Sequence, residues 1–505
     1  MMKELLEEAA RLANGADPAS ARPLVQRLLA QAPGNADLLT LAGIVAQRTG
    51  LSGDAIAAFR AARAADPGDA GRCQNLAVAL KKAGDHAGAL AVFSESLALR
   101  PGHAGTLANM GSCLIEADRC EEALAVLAQA IAASPDHADA HGNMGVALAR
   151  LGLREEASAA YRRALRVRPG HAETVLNLAD ALSASGDCDG AAALIGQVLR
   201  AHPGHTRAAN QLGLLHEAAG DHESAAAVLH SAFDPASPHH ALGVNLARVL
   251  IRAGHHQDAL IVCDSLIASQ PSVTTPLALA LAALDKLGRQ AERDALMALD
   301  QFVSVYDIDN VAGFVSMSAF NAALVQELRA HPSLVFEPEG LVTRQGRQSG
   351  DLASSHKPAL HALAELARSK LSAAHAALRS AKPADHPWLR AMPDDWTLTM
   401  WGTILRPGGE VGPHIHAPNW ISGVYYPAAS PAAAGDVQGA FAIGVLPAEL
   451  GGGGTCVFHQ PCAGRMILFP SYLWHATMPF GGEDERISFA FDLVPANVGR
   501  PHRLR

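Results

Sequence analysis

The sequence has few aromatic residues, no long apolar run and no basic cluster, and each absence excludes a class of protein. Aromatic residues make up 5% of the 505 residues and charged residues 18%, whereas 49% are hydrophobic. No stretch reaches about 18 uninterrupted apolar residues, so no membrane partner is expected. A net charge of −9 without long lysine or arginine runs argues against a nucleic-acid partner. The composition predicts sizeable cores and, at this length, two or more domains.

Cysteine pairs with metal-binding or redox spacing are also missing, and so is a secretory leader. The seven cysteines form no C-x-x-C pair, which indicates reduced, mostly buried thiols. The opening residues, MMKELLEE, are acidic and amphipathic, without the basic start, apolar run and cleavage site of a signal peptide. We therefore expect a cytoplasmic protein.

Three columns of residues recur every 34 positions in the first three hundred residues. The columns are Pro33, Pro67, Pro101, Pro135, Pro169 and Pro203; Gly50, Gly84, Asp118, Gly152, Gly186, Gly220, Gly254 and Gly288; and Ala55, Ala89, Ala123, Ala157, Ala191, Ala225 and Ala259. The glycine column ends one helix and the proline column ends the next, so each unit is predicted to be a helical hairpin. The alanines, with small residues on the first helix, let the two helices approach closely.

This pattern resembles the tetratricopeptide repeat. The likeness covers about residues 34–300 in eight units, with residues 1–33 as a degenerate opening hairpin. It implies an all-α superhelical solenoid whose concave face holds a peptide or protein segment. Histidines recur with the same period, but neighbours about 10 Å apart cannot share one ion, so we interpret them as polar residues at the start of each hairpin.

From residue 396 the sequence changes to short runs rich in branched and aromatic residues, separated by glycine and proline. The runs are 396–405, 421–426, 440–445, 454–458, 465–469 and 487–493. They predict a small antiparallel sandwich or jelly roll. Residues 302–381 are predicted to be irregular helix, including Ser318–Ala330 and Pro358–Ala381. The expected domains are therefore 1–300 for the repeats, 301–390 for a helical connector and 391–505 for the jelly roll.

Three histidines and an arginine lie at the ends of these strands. His414 and His416 follow a glycine-rich turn at residues 407–409, and in an extended segment residues i and i+2 point the same way. His475 stands at the mouth of another strand pair, and Arg486 opens the final strand. Three such imidazoles can occupy one face of an octahedral Fe(II), Zn or Cu ion and leave positions for a cosubstrate and O2. A buried guanidinium beyond the metal could grip the far carboxylate of a chelating keto acid.

Together, the segments GPHIHAPNWISGVYYP, LFPSYLWHAT and RISFAFD resemble the non-haem Fe(II)- and 2-oxoglutarate-dependent oxygenases, in particular a bacterial branch with H-x-H before an SGVYY strand. The likeness spans roughly residues 318–495 and implies a double-stranded β-helix with flanking helices. By this resemblance, His414 and His475 are iron ligands, and Arg486 and Ser488 bind oxoglutarate. Tyr425 and Tyr426 alternate across their strand, so one should face the pocket, and we assign Tyr425 to the cosubstrate.

His416 stands where the oxygenase superfamily as a whole has a carboxylate. The three-histidine face has one negative charge less, so either His416 is a ligand or a water takes that position. A further alternative makes His416 the leading histidine and His414 its supporting partner. We take His414, His416 and His475 as metal ligands and, with Arg486, as the catalytic residues.

The sequence thus predicts a repeat solenoid fused to an Fe(II)- and 2-oxoglutarate-dependent dioxygenase that hydroxylates a peptide or protein segment recruited by the repeats. One alternative is a pure interaction protein in which the barrel is only a scaffold, and another is a zinc-bound, cupin-like hydrolase or isomerase. Trp401 and Trp474 could each wall the site or belong to the core. Cys456 and Cys462 are interpreted as structural.

Overall fold

A computed structural model of the chain describes residues 2–381, 386–428, 437–499 and 501–503. The chain divides into two compact units, residues 1–211 and 212–505. The change from helix to strand near residue 300 does not coincide with this division, because the last repeats belong to the same unit as the strands. The three domains assigned from the sequence remain a prediction.

Consecutive helical hairpins make up the first unit. Its helices are α1 (Met2–Asn14), α2 (Arg22–Gln31), α3 (Ala36–Arg48), α4 (Ser52–Ala65), α5 (Ala70–Lys82), α6 (His86–Leu99), α7 (Ala104–Glu116), α8 (Cys120–Ala133), α9 (Ala138–Arg150), α10 (Arg154–Val167), α11 (Ala172–Ala184) and α12 (Cys188–Ala201), with the division falling inside α13 (Thr206–Ala218). The predicted opening hairpin is present as α1 and α2, and the predicted repeats begin at α3.

The residues that follow the first helix of each hairpin have a left-handed backbone. Gly152 has φ of 77°, and Asp118, which stands in the glycine column, has φ of 59°. Glycine adopts this conformation without steric cost, and aspartate is among the few other residues that tolerate it. The predicted helix-ending column is therefore confirmed by the backbone.

Small residues allow the two helices of a hairpin to approach each other. A Cβ atom added to Gly145 would lie 2.5 Å from Cε1 of Tyr161, and one added to Gly111 would lie 2.6 Å from Leu127. Real Cβ atoms do not approach other atoms so closely, so these positions exclude any larger side chain. The predicted packing role of the small residues is confirmed.

Three of the four histidines with the 34-residue period cap helices, namely His103, His137 and His205. His103 Nδ1 accepts a hydrogen bond from the backbone N–H of Thr106 at 3.2 Å, and His137 Nδ1 accepts one from Ala140 at 3.2 Å. A side chain that accepts a bond from the third helical residue satisfies one of the unpaired donors at a helix N-terminus. These histidines are therefore structural residues at the start of their hairpins, as interpreted from the sequence.

The second unit continues with repeat helices and then with helices that flank the strands. They are α14 (His222–Ser231), α15 (His240–Arg252), α16 (His256–Ser269), α17 (Thr275–Lys286), α18 (Gln290–Met297), α19 (Leu299–Phe302), α20 (Met317–Arg329), α21 (Pro358–Ala381) and α22 (Pro387–Arg390). The two helices predicted beyond residue 302 are confirmed as α20 and α21. Among the described residues, no helix combines the length and the apolar character that crossing a bilayer requires.

The strands of the second unit form one curled antiparallel sheet of the jelly-roll type. They are β1 (Ser304–Asp307), β2 (Val335–Phe336), β3 (Thr343–Gln348), β4 (Trp396–His414), β5 (Ile421–Tyr425), β6 (Phe441–Ile443), β7 (Val457–His459), β8 (Arg465–Pro470), β9 (His475–Thr477) and β10 (Arg486–Pro495). The order is β1-β8-β5-β10-β4-β9-β6-β7, with β3 beside β4 and β2 beside β3. The predicted jelly roll is confirmed.

The glycine-rich segment at residues 407–409 lies inside β4, so the predicted turn was wrong. β4 pairs with β10 from Trp396 to Leu405 and with β9 at Val411 and His414. Gly408 has φ of 81°, and the register between β3 and β4 shifts next to it. The glycines therefore allow an irregularity in one long strand, which continues as far as His414.

The core of the sheet extends into the last repeat. Leu277, Ala278 and Leu281 of α17 belong to the same buried cluster as Phe489 and Phe491 of β10. Both parts lie in the second unit, so this repeat helix packs as part of the strand-bearing domain rather than as a separate array. Its backbone therefore lies close to the segments that carry the candidate site.

Candidate metal centre

Strand register brings the three predicted histidines together. His414, at the end of β4, is paired directly with His475, at the start of β9. His416 follows two residues later, and its backbone N–H donates to Ser471 O at 2.9 Å. The ring centroids are 4.9 Å apart for His414 and His416, 4.3 Å for His414 and His475, and 4.8 Å for His416 and His475. Residues 61 positions apart in sequence thus share one site.

The hydrogen-bond partners fix the tautomer of each ring. His414 Nδ1 lies 2.9 Å from the carbonyl of Gly412, and His475 Nδ1 lies 2.9 Å from the carbonyl of Leu473. A carbonyl can only accept, so both Nδ1 atoms carry the proton and both Nε2 atoms keep a lone pair. In each case the carbonyl belongs to the residue two positions earlier.

The free nitrogens converge. Nε2 of His414 lies 3.0 Å from Nε2 of His416, and one ligand atom from each of the three histidines falls within 4.8 Å of the others. Two imidazole nitrogens that are each about 2.1 Å from one ion and at right angles lie about 3.0 Å apart. Facing lone pairs at this distance repel unless a cation or a proton is shared. The donor set therefore fits a metal ion.

Burial keeps the imidazoles of His414 and His475 neutral. It lowers the pKa of His414 to about 3 and lowers the pKa of His475 well below its ordinary value, and neighbouring histidines add to both shifts. Metal ligation requires neutral imidazole, so these two rings are in the ligating form at neutral pH. Three imidazoles suit iron, zinc or copper.

Asp492 is a site residue that the sequence reasoning missed. Its carboxylate is buried at 2% exposure and accepts hydrogen bonds from His416 Nδ1 at 2.8 Å, Ser422 Oγ at 2.7 Å and Asn419 Nδ2 at 2.9 Å. Charged residues are almost never fully buried unless they are paired. A lone acid in the otherwise apolar strand ISFAFDLVP was the available signal.

Arg486 is a buried cation that lies behind the cavity wall, next to Tyr426, and is not itself among the residues that line the cavity. Its Nε donates to Gly439 O at 2.9 Å, and its Nη2 donates to the Tyr426 hydroxyl at 3.2 Å. Among the described residues, no carboxylate lies within 4.0 Å of this guanidinium, which is 4% exposed. Burial lowers the pKa of Arg486, as expected for a cation without a paired anion. Such a group is suited to bind an anionic ligand.

Tyr426, rather than the assigned Tyr425, reaches the cavity. The Tyr425 hydroxyl points to the helical side of the sheet and donates to Oδ1 of Asn321 at 2.6 Å. Tyr426 lines the cavity and bonds to Arg486. The alternation of the two tyrosines was read correctly, but nothing in the sequence told which of them faces inward, and the assignment of Tyr425 is corrected.

The three histidines open into a cavity of about 360 Å³. Its polar wall includes Thr403 and Ser488, which are direct partners in the register between β4 and β10. Ser488 therefore faces the same space as the three imidazoles. The cavity combines a metal-binding face with a polar wall, the arrangement expected of a site that holds a small polar ligand beside a metal.

Comparison with known families agrees with this geometry. Residues 399–492 match the family described as "Putative 2OG-Fe(II) oxygenase", and residues 6–70, 80–142, 138–171 and 176–241 match tetratricopeptide-repeat families. The chain thus joins tetratricopeptide repeats to a C-terminal domain of this oxygenase family. No curated protein gives a significant match.

Solved structures similar to part of the chain include other repeat proteins. A structure of PilF from Pseudomonas aeruginosa is 22% identical, covers 39% of this chain and 89% of its own, and has a TM-score of 0.35. A tetratricopeptide repeat protein from Parabacteroides merdae is 19% identical over 46% of this chain and 91% of its own, with a TM-score of 0.40. TTC0263 from Thermus thermophilus is 22% identical over 36% and 98%, with a TM-score of 0.33.

The two tryptophans considered from the sequence have different positions in the oxygenase domain. Trp401 lines the cavity, where its ring lies 5.3 Å from that of His416 and stacks on His502 at 4.4 Å. Trp474 instead donates its indole N–H to Ala278 O of α17 at 2.8 Å. The sequence did not indicate His502, which closes one wall of the cavity from the C-terminal segment.

Proposed function

We propose that the C-terminal domain is an Fe(II)- and 2-oxoglutarate-dependent dioxygenase in which His414, His416 and His475 hold the metal. The observation that carries the proposal is that the three Nε2 atoms converge. The other ring nitrogen, Nδ1, is engaged in a hydrogen bond in each histidine. The buried Arg486 and the family match over residues 399–492 favour this chemistry over other three-histidine sites.

When bound, Fe(II) would supply the O2 chemistry that couples oxidative decarboxylation of 2-oxoglutarate to hydroxylation of a C–H bond. One oxygen atom of O2 ends in succinate and the other in the new hydroxyl group, and CO2 is released. The electrons that reduce O2 come from the keto acid and from the C–H bond, so no further reductant is needed.

The chain's own groups would bind and orient the cosubstrate. Arg486 offers a buried guanidinium to the distal carboxylate of 2-oxoglutarate, and the Tyr426 hydroxyl, which accepts from Arg486, keeps its own proton to donate. The hydroxyl of Ser488 faces the same cavity. The carbonyls of Gly412 and Leu473 hold two of the ligand rings in place, so the metal face is formed before any ligand arrives.

The substrate in this proposal is a peptide or protein segment. Tetratricopeptide repeats mediate protein–protein contacts, and this chain carries them upstream of the oxygenase domain. The repeats would recruit the segment, and one of its side chains would be hydroxylated. The activity would then be that of a protein hydroxylase.

The direct test is turnover of the cosubstrate by the full chain. Protein purified without oxygen and loaded with Fe(II) should release succinate from 2-oxoglutarate when O2 is added, slowly alone and faster with cell extract. Iron-loaded protein that makes no succinate under either condition would favour the non-catalytic scaffold. Stoichiometric zinc after anaerobic purification, together with no succinate, would favour a zinc enzyme.

A further inference from the structure

The buried acid behind His416 has a specific relation to the unusual metal face. By the resemblance drawn from the sequence, His416 occupies the position where the oxygenase superfamily has a carboxylate ligand, and its far nitrogen lies 2.8 Å from Oδ1 of Asp492. We infer that Asp492 supplies, through His416, the negative charge that the ligand set itself lacks. Asp492 would be a positioning residue for the metal centre, and this inference rests on the proposed function.

The carboxylate is held rigidly and is not neutralised by a cation. Ser422 and Asn419 donate to its two oxygens at 2.7 Å and 2.9 Å, and both donors are neutral. Among the described residues, its one charged or titratable partner within 4.0 Å is His416. Its negative charge therefore acts on the imidazole of His416 and is not offset by a lysine or an arginine.

The three ligand histidines differ in this respect. His414 and His475 bond to neutral backbone carbonyls, whereas His416 bonds to a carboxylate. The histidine with the charged partner is the one that replaces the superfamily's acid. His416 thus both replaces a carboxylate ligand and bonds to a carboxylate. This coincidence distinguishes the bond to Asp492 from an ordinary supporting hydrogen bond.

The physical reason is the cost of buried charge. A divalent ion held by three neutral imidazoles keeps its full charge of +2 in a partly buried site, and an uncompensated charge is costly there. A carboxylate bonded to the far nitrogen of a ligand offsets part of that charge, orients the ring and makes its lone pair more basic. Asp492 can do all three from one position.

The test measures metal affinity and does not need turnover. Co(II), a visible-absorbing substitute for Fe(II), is titrated into the full-length wild-type chain, Asp492→Asn and Ser422→Ala under anaerobic conditions. Asp492→Asn should weaken Co(II) binding about 10- to 100-fold, the cost of losing such a partner. Ser422→Ala removes a hydrogen bond to the same oxygen and a 3.1 Å contact with His416 Nδ1 but keeps the charge, so it should change binding less than about threefold.

A second comparison asks whether Asp492 acts through His416. In a His416→Asp background the metal face already carries a carboxylate, and no imidazole links the ion to Asp492. Adding Asp492→Asn there should weaken Co(II) binding by a smaller factor than it does in the wild-type background. An equal loss in both backgrounds would mean that Asp492 acts without His416, and would overturn the inference.

A measurement on the wild-type chain covers the case in which Asp492→Asn does not fold. In the Zn(II)-loaded protein with 15N-labelled histidine, the Nδ1–H proton of His416 should be shifted furthest downfield of the three ligands, because its acceptor alone is charged. Three equivalent Nδ1–H signals, or Co(II) affinity unchanged in a folded Asp492→Asn, would overturn the inference alone. Wild-type protein that binds neither metal would overturn the proposed function as well.

Discussion

The repeats and the oxygenase domain use the same histidine atom in opposite ways. In the repeats, Nδ1 of His103 and His137 accepts a hydrogen bond from a backbone N–H. In the oxygenase domain, Nδ1 of His414 and His475 donates to a backbone carbonyl. A neutral ring carries one proton, so the first pair is protonated at Nε2 and the second pair has a lone pair there. The direction of one hydrogen bond separates a helix cap from a metal ligand.

This difference shows why regular spacing did not mark the functional histidines. A residue that recurs every 34 positions serves something that every repeat needs, which is a satisfied helix N-terminus. The ligand histidines occur once, at strand ends, and their Nδ1 partners are the carbonyls of Gly412 and Leu473 and the carboxylate of Asp492. Four experiments would test the comparison, in order of decreasing effect.

The largest effect is expected from replacing a histidine in each region. His475→Ala removes one of three converging nitrogens, so metal affinity should fall by more than about 100-fold, beyond the cost of losing a supporting partner. His137→Ala removes a helix cap and should lower the free energy of unfolding by about 1 kcal/mol. Metal content after anaerobic loading and urea denaturation measure the two quantities.

The two variants control each other. His475→Ala should keep its far-ultraviolet circular dichroism spectrum, and His137→Ala should keep its metal content. If His137→Ala lost metal, or if His475→Ala retained it, the division into capping and ligating histidines would be contradicted.

Arg486→Lys should leave metal binding unchanged and weaken the binding of 2-oxoglutarate. Lysine keeps the charge but loses the planar fork that bonds to Tyr426 and would bind a carboxylate through two nitrogens. Affinity for 2-oxoglutarate should fall about 10- to 100-fold, which corresponds to one or two charged hydrogen bonds at about 1.5 kcal/mol each. Calorimetry with Mn(II)-loaded protein measures it. Equal loss of metal and cosubstrate would argue for a purely structural role.

The sequence was sufficient where the signal is local or repeated. The columns through Gly145 and Gly152 predicted the hairpins, because the same steric requirement recurs in each repeat. His414, His416 and His475 were found because they stand in recognisable motifs at strand ends.

The sequence was insufficient where a contact with another helix or strand determines what a residue does. Tyr425 and Tyr426 alternate, and only the packing of α20 against the sheet, with Asn321 bonded to Tyr425, shows which ring faces inward. Asp492 looked like the end of a motif, because its partner His416 lies on another chain segment. Pro407 to Gly409 looked like a turn, because a strand irregularity and a turn use the same residues.

Within one repeat helix, two glycines should respond oppositely to alanine. In α9, a Cβ on Gly145 would meet Tyr161 at 2.5 Å, whereas a Cβ on Gly142 would have Thr174 Oγ1 as its nearest neighbour at 3.8 Å. Gly145→Ala should destabilise the repeats by about 1–3 kcal/mol through overpacking. Gly142→Ala should stabilise them by up to about 1 kcal/mol, because alanine favours helix. Urea unfolding, monitored by the helical circular dichroism signal, measures both changes in stability. Equal effects of the two substitutions would contradict the packing explanation.

The smallest effect should appear where a repeat helix and the oxygenase domain share a core within the second unit. Trp474 precedes His475 and donates its indole N–H to Ala278 O of α17. Trp474→Phe keeps most of the ring but removes a second hydrogen bond to a carbonyl that already accepts one within α17, so it should cost about 0.5–1.5 kcal/mol of stability. Trp396→Phe is the matched control, because Trp396 also packs against the core and its indole has no hydrogen bond among the described residues.

If thermal unfolding shows Trp474→Phe to be no less stable than Trp396→Phe, the contact contributes packing alone. If metal affinity in Trp474→Phe also falls more than about threefold, the repeat helix holds the ligand His475 in position as well as the core.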